Sequence, residues 1–459
     1  MQRYGIEIKV KNKPLLDPDF MPIGLYNKAF SAAADKPLSL AVERCGGQIA
    51  TVHTHIHGTE EMAQADAYYA ERLLKQMLWM KGGFRVYVSG DERVYNILKA
   101  AYSEGGSRAF DADFMAGVYE HPFEVVRCDR VPEEKGTSQA IGRHSGGCRI
   151  GFDAGGSDRK VSAVIDGEPV FSEEVVWFPK TNADPDYHYE GIVSALKTAA
   201  EKMPRVDAVG VSSAGIFIDN RTMVASLFLQ VPKHLFDAKV KDIYIRAVRD
   251  TFGPDVPLVV ANDGDVSALA GAMGLGENEV LGIAMGTSEA VGFVDGKGNV
   301  TGWLNELAFM PVDAHPDAMR DEWSGDIGCG VKYFSQDGII KLAPRAGIEL
   351  DETLSPAEKL KAVQDLMARD DERAAKVYLT VGTYLGHTLA YYYELYHCKH
   401  VLLLGRVMSG KGGDLILREA KRVLAQEYPQ YEGKLFPALP DEKARRVGQS
   451  VAAAGLPEV

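Results

Sequence analysis

The stretch Cys148-Arg149-Ile150-Gly151-Phe152-Asp153-Ala154-Gly155-Gly156-Ser157-Asp158-Arg159-Lys160 is an apolar strand run that ends in an acid and two glycines. Paired glycines let the backbone turn tightly and bring its N–H groups within reach of an anion. An acid at a strand end, here Asp153, can hold a hydrated divalent cation. The pattern is that of a phosphate loop. By itself it is equally that of a hairpin whose turn needs no ligand, so the choice rests on the motifs further along the chain.

Composition bounds that choice. A chain of 459 residues exceeds one ordinary core and predicts two or three domains. Its 46% hydrophobic and 25% charged residues fit a soluble globular protein. A formal net charge of -13 argues against broad attraction to nucleic acid or an anionic membrane, so neither is expected as a partner. Nucleotides remain open, because they bind through local amides and a metal ion rather than through global charge. The cysteines Cys45, Cys128, Cys148, Cys329 and Cys398 form no C-x-x-C pair and are odd in number. They predict a reducing cytosol, with neither a disulfide framework nor a thiolate metal cluster. The first residues lack an apolar h-region, and no apolar run approaches the length that spans a bilayer. A cytoplasmic protein is expected.

Upstream of the glycine turn, residues 1–146 read as an N-terminal α/β extension of unassigned role, closed by the polar, turn-rich run from Pro132 to Gly147. Within it, Leu38 to Val42 and Gln48 to Val52 flank Cys45-Gly46-Gly47 and predict a hairpin. Gly58-Thr59-Glu60-Glu61 predicts the start of a helix through about Met80, with Thr59 as its cap. Phe84 to Val88 reads as a strand and Glu92 to Tyr102 as a helix. Downstream, strands at Arg149–Asp153, Lys160–Ile165 and Pro169–Trp177 open an α/β sheet with an antiparallel start. Ala208 to Gly215 and Val256 to Asp263 are buried strands that run into small polar loops, and a helix is expected from Asp265 to about Met273. The outline then repeats with Glu279 to Ser288, helices at about Pro356–Ala368 and Glu372–Leu395, and the strand Val401–Gly405. Two similar halves imply a cleft between them.

The motifs therefore run in the order Asp-x-Gly-Gly-Ser (153–157), Ser-Ser-Ala-Gly (212–215), Asn-Asp (262–263), Gly-Thr-Ser (286–288), Asn-Glu-Leu (305–307) and Leu-Gly-Arg-Val-Met-Ser-Gly-x-Gly-Gly (404–413). In this order they resemble the ROK family of sugar kinases and sugar-responsive regulators, within the actin-like ATPase superfamily. Val260-Ala261-Asn262-Asp263-Gly264-Asp265-Val266-Ser267-Ala268-Leu269 is close to the family signature Asn-Asp-x-Asn-x-x-Ala-Leu, and Arg446 to Ala454 resembles its closing small-residue helix. The resemblance implies an α/β fold of two actin-like (ribonuclease H-like) domains around a cleft. Residues 147–262 would form domain I, to which a helix at about 441–456 returns, and residues 263–440 domain II.

The resemblance also implies ATP-dependent phosphorylation of a sugar hydroxyl. Such a hydroxyl is a weak nucleophile at neutral pH and needs a carboxylate within hydrogen-bond reach to take its proton. Asp263 matches the family base, and Asn262 and Glu306 match its sugar contacts. Gly155, Gly156 and Ser157, with Gly286 and Thr287, would donate to the phosphates. Asp153 would hold Mg²⁺ through water, and Gly405 would leave room for adenine. A homodimer binding a sugar and a nucleotide is implied.

Several positions depart from the family pattern. Its second phosphate loop is richer in glycine than Gly286-Thr287-Ser288-Glu289-Ala290-Val291-Gly292, and Glu289 would bring negative charge to a triphosphate. Arg406 stands where a second glycine is usual. Phe309 occupies the place of a zinc-binding histidine, and only Cys329 remains of a cysteine cluster, so structural zinc is not expected. A non-catalytic sugar or sugar-phosphate binding regulator is the alternative to a kinase. An actin-like hydrolase that needs no sugar is a third reading. His53, His55 and His57 share one strand face but lie roughly 6.6 Å apart in succession, too far to meet one ion without a bend. Tyr391, Tyr392, Tyr393 and Tyr396 have the spacing of helix packing. Val88-Ser89-Gly90 and its helix echo Leu404-Gly405 and its helix, which raises the idea that the extension is a degenerate half of the same fold.

Overall fold

A computed structural model describes residues 1–136, 142–440 and 448–459. The chain divides into two compact units. The first comprises Met1–Thr137, Ile283–Val291 and Trp303–Leu439, and the second Ser138–Gly282, Gly292–Gly302 and Pro440–Val459.

The first unit begins with a small ribbon, β1 (Gln2–Arg3) and β2 (Ile6–Glu7), and helix α1 (Ile23–Ser31). The expected hairpin comes next as β3 (Lys36–Arg44) and β4 (Gln48–Ile56), with Gly46 and Gly47 at positive φ in its turn. Helix α2 (Ala63–Lys81), β5 (Arg85–Ser89), α3 (Glu92–Ala101), α4 (Ala109–Tyr119) and β6 (Glu124–Arg127) complete the block. Helix α2 starts later than Gly58, and Thr59 does not cap it. The Asp66 carboxylate accepts the His57 and Gly58 N–H groups at 2.8 Å each and holds that segment in a turn. The sheet order is β4-β3-β5-β6, with β5 antiparallel to β3. This topology differs from that of the second unit, so the extension is not a degenerate copy of it.

In the second unit β7 (Cys148–Ala154), β8 (Asp158–Ile165) and β9 (Glu168–Val176) form an antiparallel meander. Helix α5 (Pro185–Ala200) leads to β10 (Ala208–Ser213), which pairs parallel with β7. A ribbon of β11 (Ile216–Ile218) and β12 (Arg221–Val224), a short α6 (Lys233–Leu235) and α7 (Ile243–Phe252) lead to β13 (Leu258–Asn262), parallel with β10. Helix α8 (Asp263–Leu275) starts at once. The order β13-β10-β7-β8-β9 rests on a core that includes Ile150, Phe152, Leu196, Val209 and Tyr244.

The second sheet, β15-β14-β16-β17, comprises β14 (Val280–Met285), β15 (Glu289–Val294), β16 (His400–Leu404) and β17 (Phe436–Ala438). Its helices are α9 (Gln336–Arg345), α10 (Pro356–Ala368), α11 (Glu372–Tyr396) and α12 (Gly410–Glu427). Gly382 and Gly386 let α11 close on α12, because a Cβ at either would meet α12 atoms within 3 Å. The tyrosines of α11 pack as their spacing predicts, with Tyr391, Tyr392 and Tyr396 buried. The final helix, α13 (Gln449–Ala454), returns to the second unit, and residues 441–447 of the expected helix lie outside the described residues. It lies on β7 and β10, where Gly151 and Gly210 leave room for its backbone.

A buried ionic cluster ties α2 to the loop around Asp326. Arg72, Lys75 and Arg108 form ion pairs with Asp326 at 2.9, 3.3 and 2.7 Å, while Lys75 and the Trp79 indole donate to Asp111 at 2.8 and 2.9 Å. The cations beside Asp326 hold its carboxyl far below the usual range against the effect of burial. Removing one member leaves buried charge uncompensated. Asp326→Ala is expected to cost about 3–5 kcal/mol, read as a shift of the urea unfolding midpoint.

Candidate functional site

The strand ends of the second unit collect the acids that the sequence singles out. Asp153 is the penultimate residue of β7, and its Oδ1 accepts from Ser212 Oγ at 2.8 Å across the β7–β10 pairing. Burial pushes its carboxyl up to about 6, the Ser212 bond opposes that shift, and the nearby Asp263 charge adds to it. Asn262 ends β13 and caps α8: its Oδ1 accepts the Gly264 N–H at 2.7 Å, and its Nδ2 donates to the Gly215 carbonyl at 2.7 Å. The cap sets Asp263 as the first residue of α8. Burial raises the Asp263 carboxyl, against the Gly264 N–H and the Lys180 charge. Gln449 of α13 donates to the Asp263 carbonyl at 3.1 Å and so fixes its backbone.

The glycines divide by what they approach. A Cβ at Gly155 would stand 2.5 Å from the Asp158 carbonyl oxygen, so the hairpin turn itself requires glycine there. Gly156 and Ser157 are exposed, and Gly156 is covered only by the end of the Lys180 side chain. Gly405, at φ +92, lies on the backbone of Met285 and is required by strand packing. Gly286 has open space around it, and Thr287 is exposed. Lys180 is absent from the motifs read in the sequence. It comes after an irregular Trp-Phe-Pro segment with no pattern to mark it.

Glu306 belongs to the first unit and is placed by α2. The Glu306 N–H donates to the Trp79 carbonyl at 2.9 Å, and the Asn305 N–H to the Met80 carbonyl at 3.0 Å. Tyr396 donates to Asn305 Oδ1 at 2.9 Å. Phe309 packs on Trp79 with ring centroids 4.4 Å apart and also meets Phe110, Phe114 and Trp323. The buried Cys329 thiol faces Asp326 at 3.7 Å, and burial pushes it up to about 12. No grouping of three metal-ligating side chains occurs among the described residues. His53 is exposed and meets Ser39 at 2.8 Å, while His57 packs against Phe30.

Glu289 corrects an expectation. Instead of standing at the loop tip, it turns inward beneath Gly330, where Tyr392 donates to Oε1 at 3.3 Å and Oε2 has no partner. Burial pushes its carboxyl up to about 8, with Glu306 adding to the shift. A neutral acid removes the charge expected beside a phosphate.

A five-stranded sheet with three antiparallel strands followed by two parallel ones defines an α/β protein of the actin-like, ribonuclease H-like class. The chain belongs to the ROK family, whose model matches residues 149–454. Among solved structures it is similar to a ROK hexokinase from Thermus thermophilus, at 19% identity and a TM-score of 0.51, covering 67% of this chain and 97% of that one. It is also similar to a ROK family transcriptional regulator, a homolog of the E. coli MLC protein, at 18% identity and a TM-score of 0.50, covering 67% and 78%. At these identities the likeness is one of fold. No curated protein matches the chain. No described helix is long and apolar enough to cross a membrane.

The folded Glu289 binds its proton up to about 8, whereas an unfolded glutamic acid releases it near 4.5. Folding therefore takes up a proton between these values, and raising the pH through them costs stability. Glu289→Gln is expected to gain stability over wild type progressively from pH 4.5 to 8, measured by thermal melts across that range.

Proposed function

We propose that the chain is an ATP-dependent sugar kinase. The observation that carries this reading is the pairing at the strand ends: Asp263 at the start of α8, set by the Asn262 cap, within the field of Asp153 at the end of β7. Burial raises the Asp263 carboxyl and so makes it a stronger base than an ordinary aspartate. Asp263 takes the proton of the sugar hydroxyl as that oxygen attacks. Asn262 and Glu306 orient the sugar, and a carboxylate such as Glu306 can accept from two neighbouring hydroxyls.

ATP supplies the phosphoryl group, and Mg²⁺ neutralises charge on its phosphates. Two mutually repelling acids, Asp153 and Asp263, fit a nearby cation, and Mg²⁺ keeps most of its water, so a single carboxylate suffices to hold it. Asp153 would hold it through water. Gly156 and Ser157 present an exposed turn that would meet the phosphates, and Gly155, Gly286, Thr287 and Gly405 are the further nucleotide positions that the family resemblance implies. We place this activity in a cytoplasmic homodimer without nucleic-acid partners, in keeping with the net charge of -13.

A non-catalytic sugar-binding regulator is the second reading. The side chains of Thr287 and Ser288, exposed where the family loop is richer in glycine, favour it. The test is Mg·ATP-dependent ADP release across hexoses, amino sugars and their N-acetyl forms. A kinase is expected to need sugar, and Asp263→Asn to lower kcat about 10²–10⁴-fold. Release without sugar would indicate a hydrolase. No release from folded protein would leave the regulator.

A further inference from the structure

The segment that leaves β9 is fastened to the glycine turn. Trp177 donates its backbone N–H to the Ser157 carbonyl at 3.1 Å and its indole N–H to the Gly155 carbonyl at 2.8 Å. The next residues are held as well. Phe178 N–H donates to the Tyr187 hydroxyl at 2.9 Å, and the buried His188 ring donates to the Pro179 carbonyl at 2.9 Å. Lys180 sits in the resulting short turn, Pro179–Thr181, with a fixed backbone and an exposed side chain.

That side chain lies over the turn. A Cβ at Gly156 would stand 2.6 Å from Lys180 Cε and 2.8 Å from Nζ, so the ammonium occupies the space that the missing side chain leaves. Its field also reaches the Asp263 carboxyl. Among the described residues no carboxylate is in ion-pair contact with Lys180. A cation without an acidic partner in ion-pair contact therefore lies over the exposed turn, and its charge is felt at the candidate base.

Resting on the kinase reading above, we infer that Lys180 is a further catalytic residue, contacting the γ-phosphoryl group of ATP during transfer. The sugar oxygen forms its bond to the γ-phosphorus while the bond to the β,γ-bridging oxygen breaks. The electron pair leaves on ADP, and the hydroxyl proton passes to Asp263. Charge in such a transition state spreads over the three equatorial phosphoryl oxygens, where a preplaced ammonium stabilises it. Gly156 contributes by its lack of a side chain, which leaves the lysine its position.

The test compares wild type with Lys180→Met and Lys180→Arg in the full chain, using calorimetric Kd values for Mg·ATP and Mg·ADP and the kcat of sugar-dependent ADP release. Lys180→Met is expected to weaken Mg·ATP about tenfold, to leave Mg·ADP nearly unchanged and to lower kcat about 10²-fold, while Lys180→Arg recovers most of each. Equal effects on both nucleotides, or none, in a wild type that does turn over would overturn the Lys180 assignment and leave the kinase intact. A folded wild type that binds no Mg·ATP would overturn both.

Discussion

The first unit depends on the charges buried along one face of α2. Arg72, Lys75 and Trp79 recur at helical spacing, so a single face of the helix meets both Asp326 and Asp111. Burying such groups is costly unless each finds its partners, and here Asp326 alone receives three cations. The arrangement therefore admits essentially one position of α2 along its axis. Because the last carbonyls of that helix, on Trp79 and Met80, receive the N–H groups of Glu306 and Asn305, the same cluster fixes the segment that bears the candidate sugar contact. The N-terminal extension thus forms part of the framework behind Glu306. Phe309 and Cys329, at positions that the family resemblance associates with zinc, are absorbed into this packing between Trp79 and Asp326.

Elements whose signals are local were legible in the sequence. The β3–β4 hairpin around Cys45-Gly46-Gly47 and the helices α10 and α11 lie close to where the sequence places them, and in α11 an unbroken stretch from Thr380 to Tyr392 is buried on all sides. The start of α2 was not legible, because the carboxylate that delays it, Asp66, lies inside the helix and reaches back to His57 and Gly58. Nor could any local pattern reveal that α2 would hold Asn305 and Glu306, which lie far along the chain. Lys180 was hidden for a similar reason: its place is set by hydrogen bonds from Trp177 and His188, and lysine in an irregular loop is ordinarily a solvated residue.

Glycine is ambiguous in a sequence because it permits close approach without saying to what. Gly151 and Gly210 admit the backbone of α13, Gly155 admits the Asp158 carbonyl and Gly405 admits Met285. In each case the approaching group is the protein itself. Gly156 and Gly286 differ, since neither has neighbouring backbone pressed against it. The phosphate-loop reading of the opening motif therefore rests on Gly156 and Ser157 more than on Gly155. The same distinction moves the weight of the 404–413 motif from ligand contact to the joining of β14 and β16.

Glu289 shows how an unfavourable residue in a motif can be neutralised by its direction. As the first residue of β15 it obeys the strand alternation that also buries Val291, so its side chain enters the interior while Thr287 and Ser288 stay outside. Inside, it meets Tyr392 and the glycine at 330, and burial keeps it protonated at neutral pH. Its charge is therefore absent from the loop tip, which retains only small neutral side chains and backbone. The loop's divergence from a glycine-rich pattern is then a matter of side-chain bulk and not of electrostatic repulsion. Bulk at Thr287 restricts how close an anion can come, but a hydroxyl can itself donate to a phosphate oxygen.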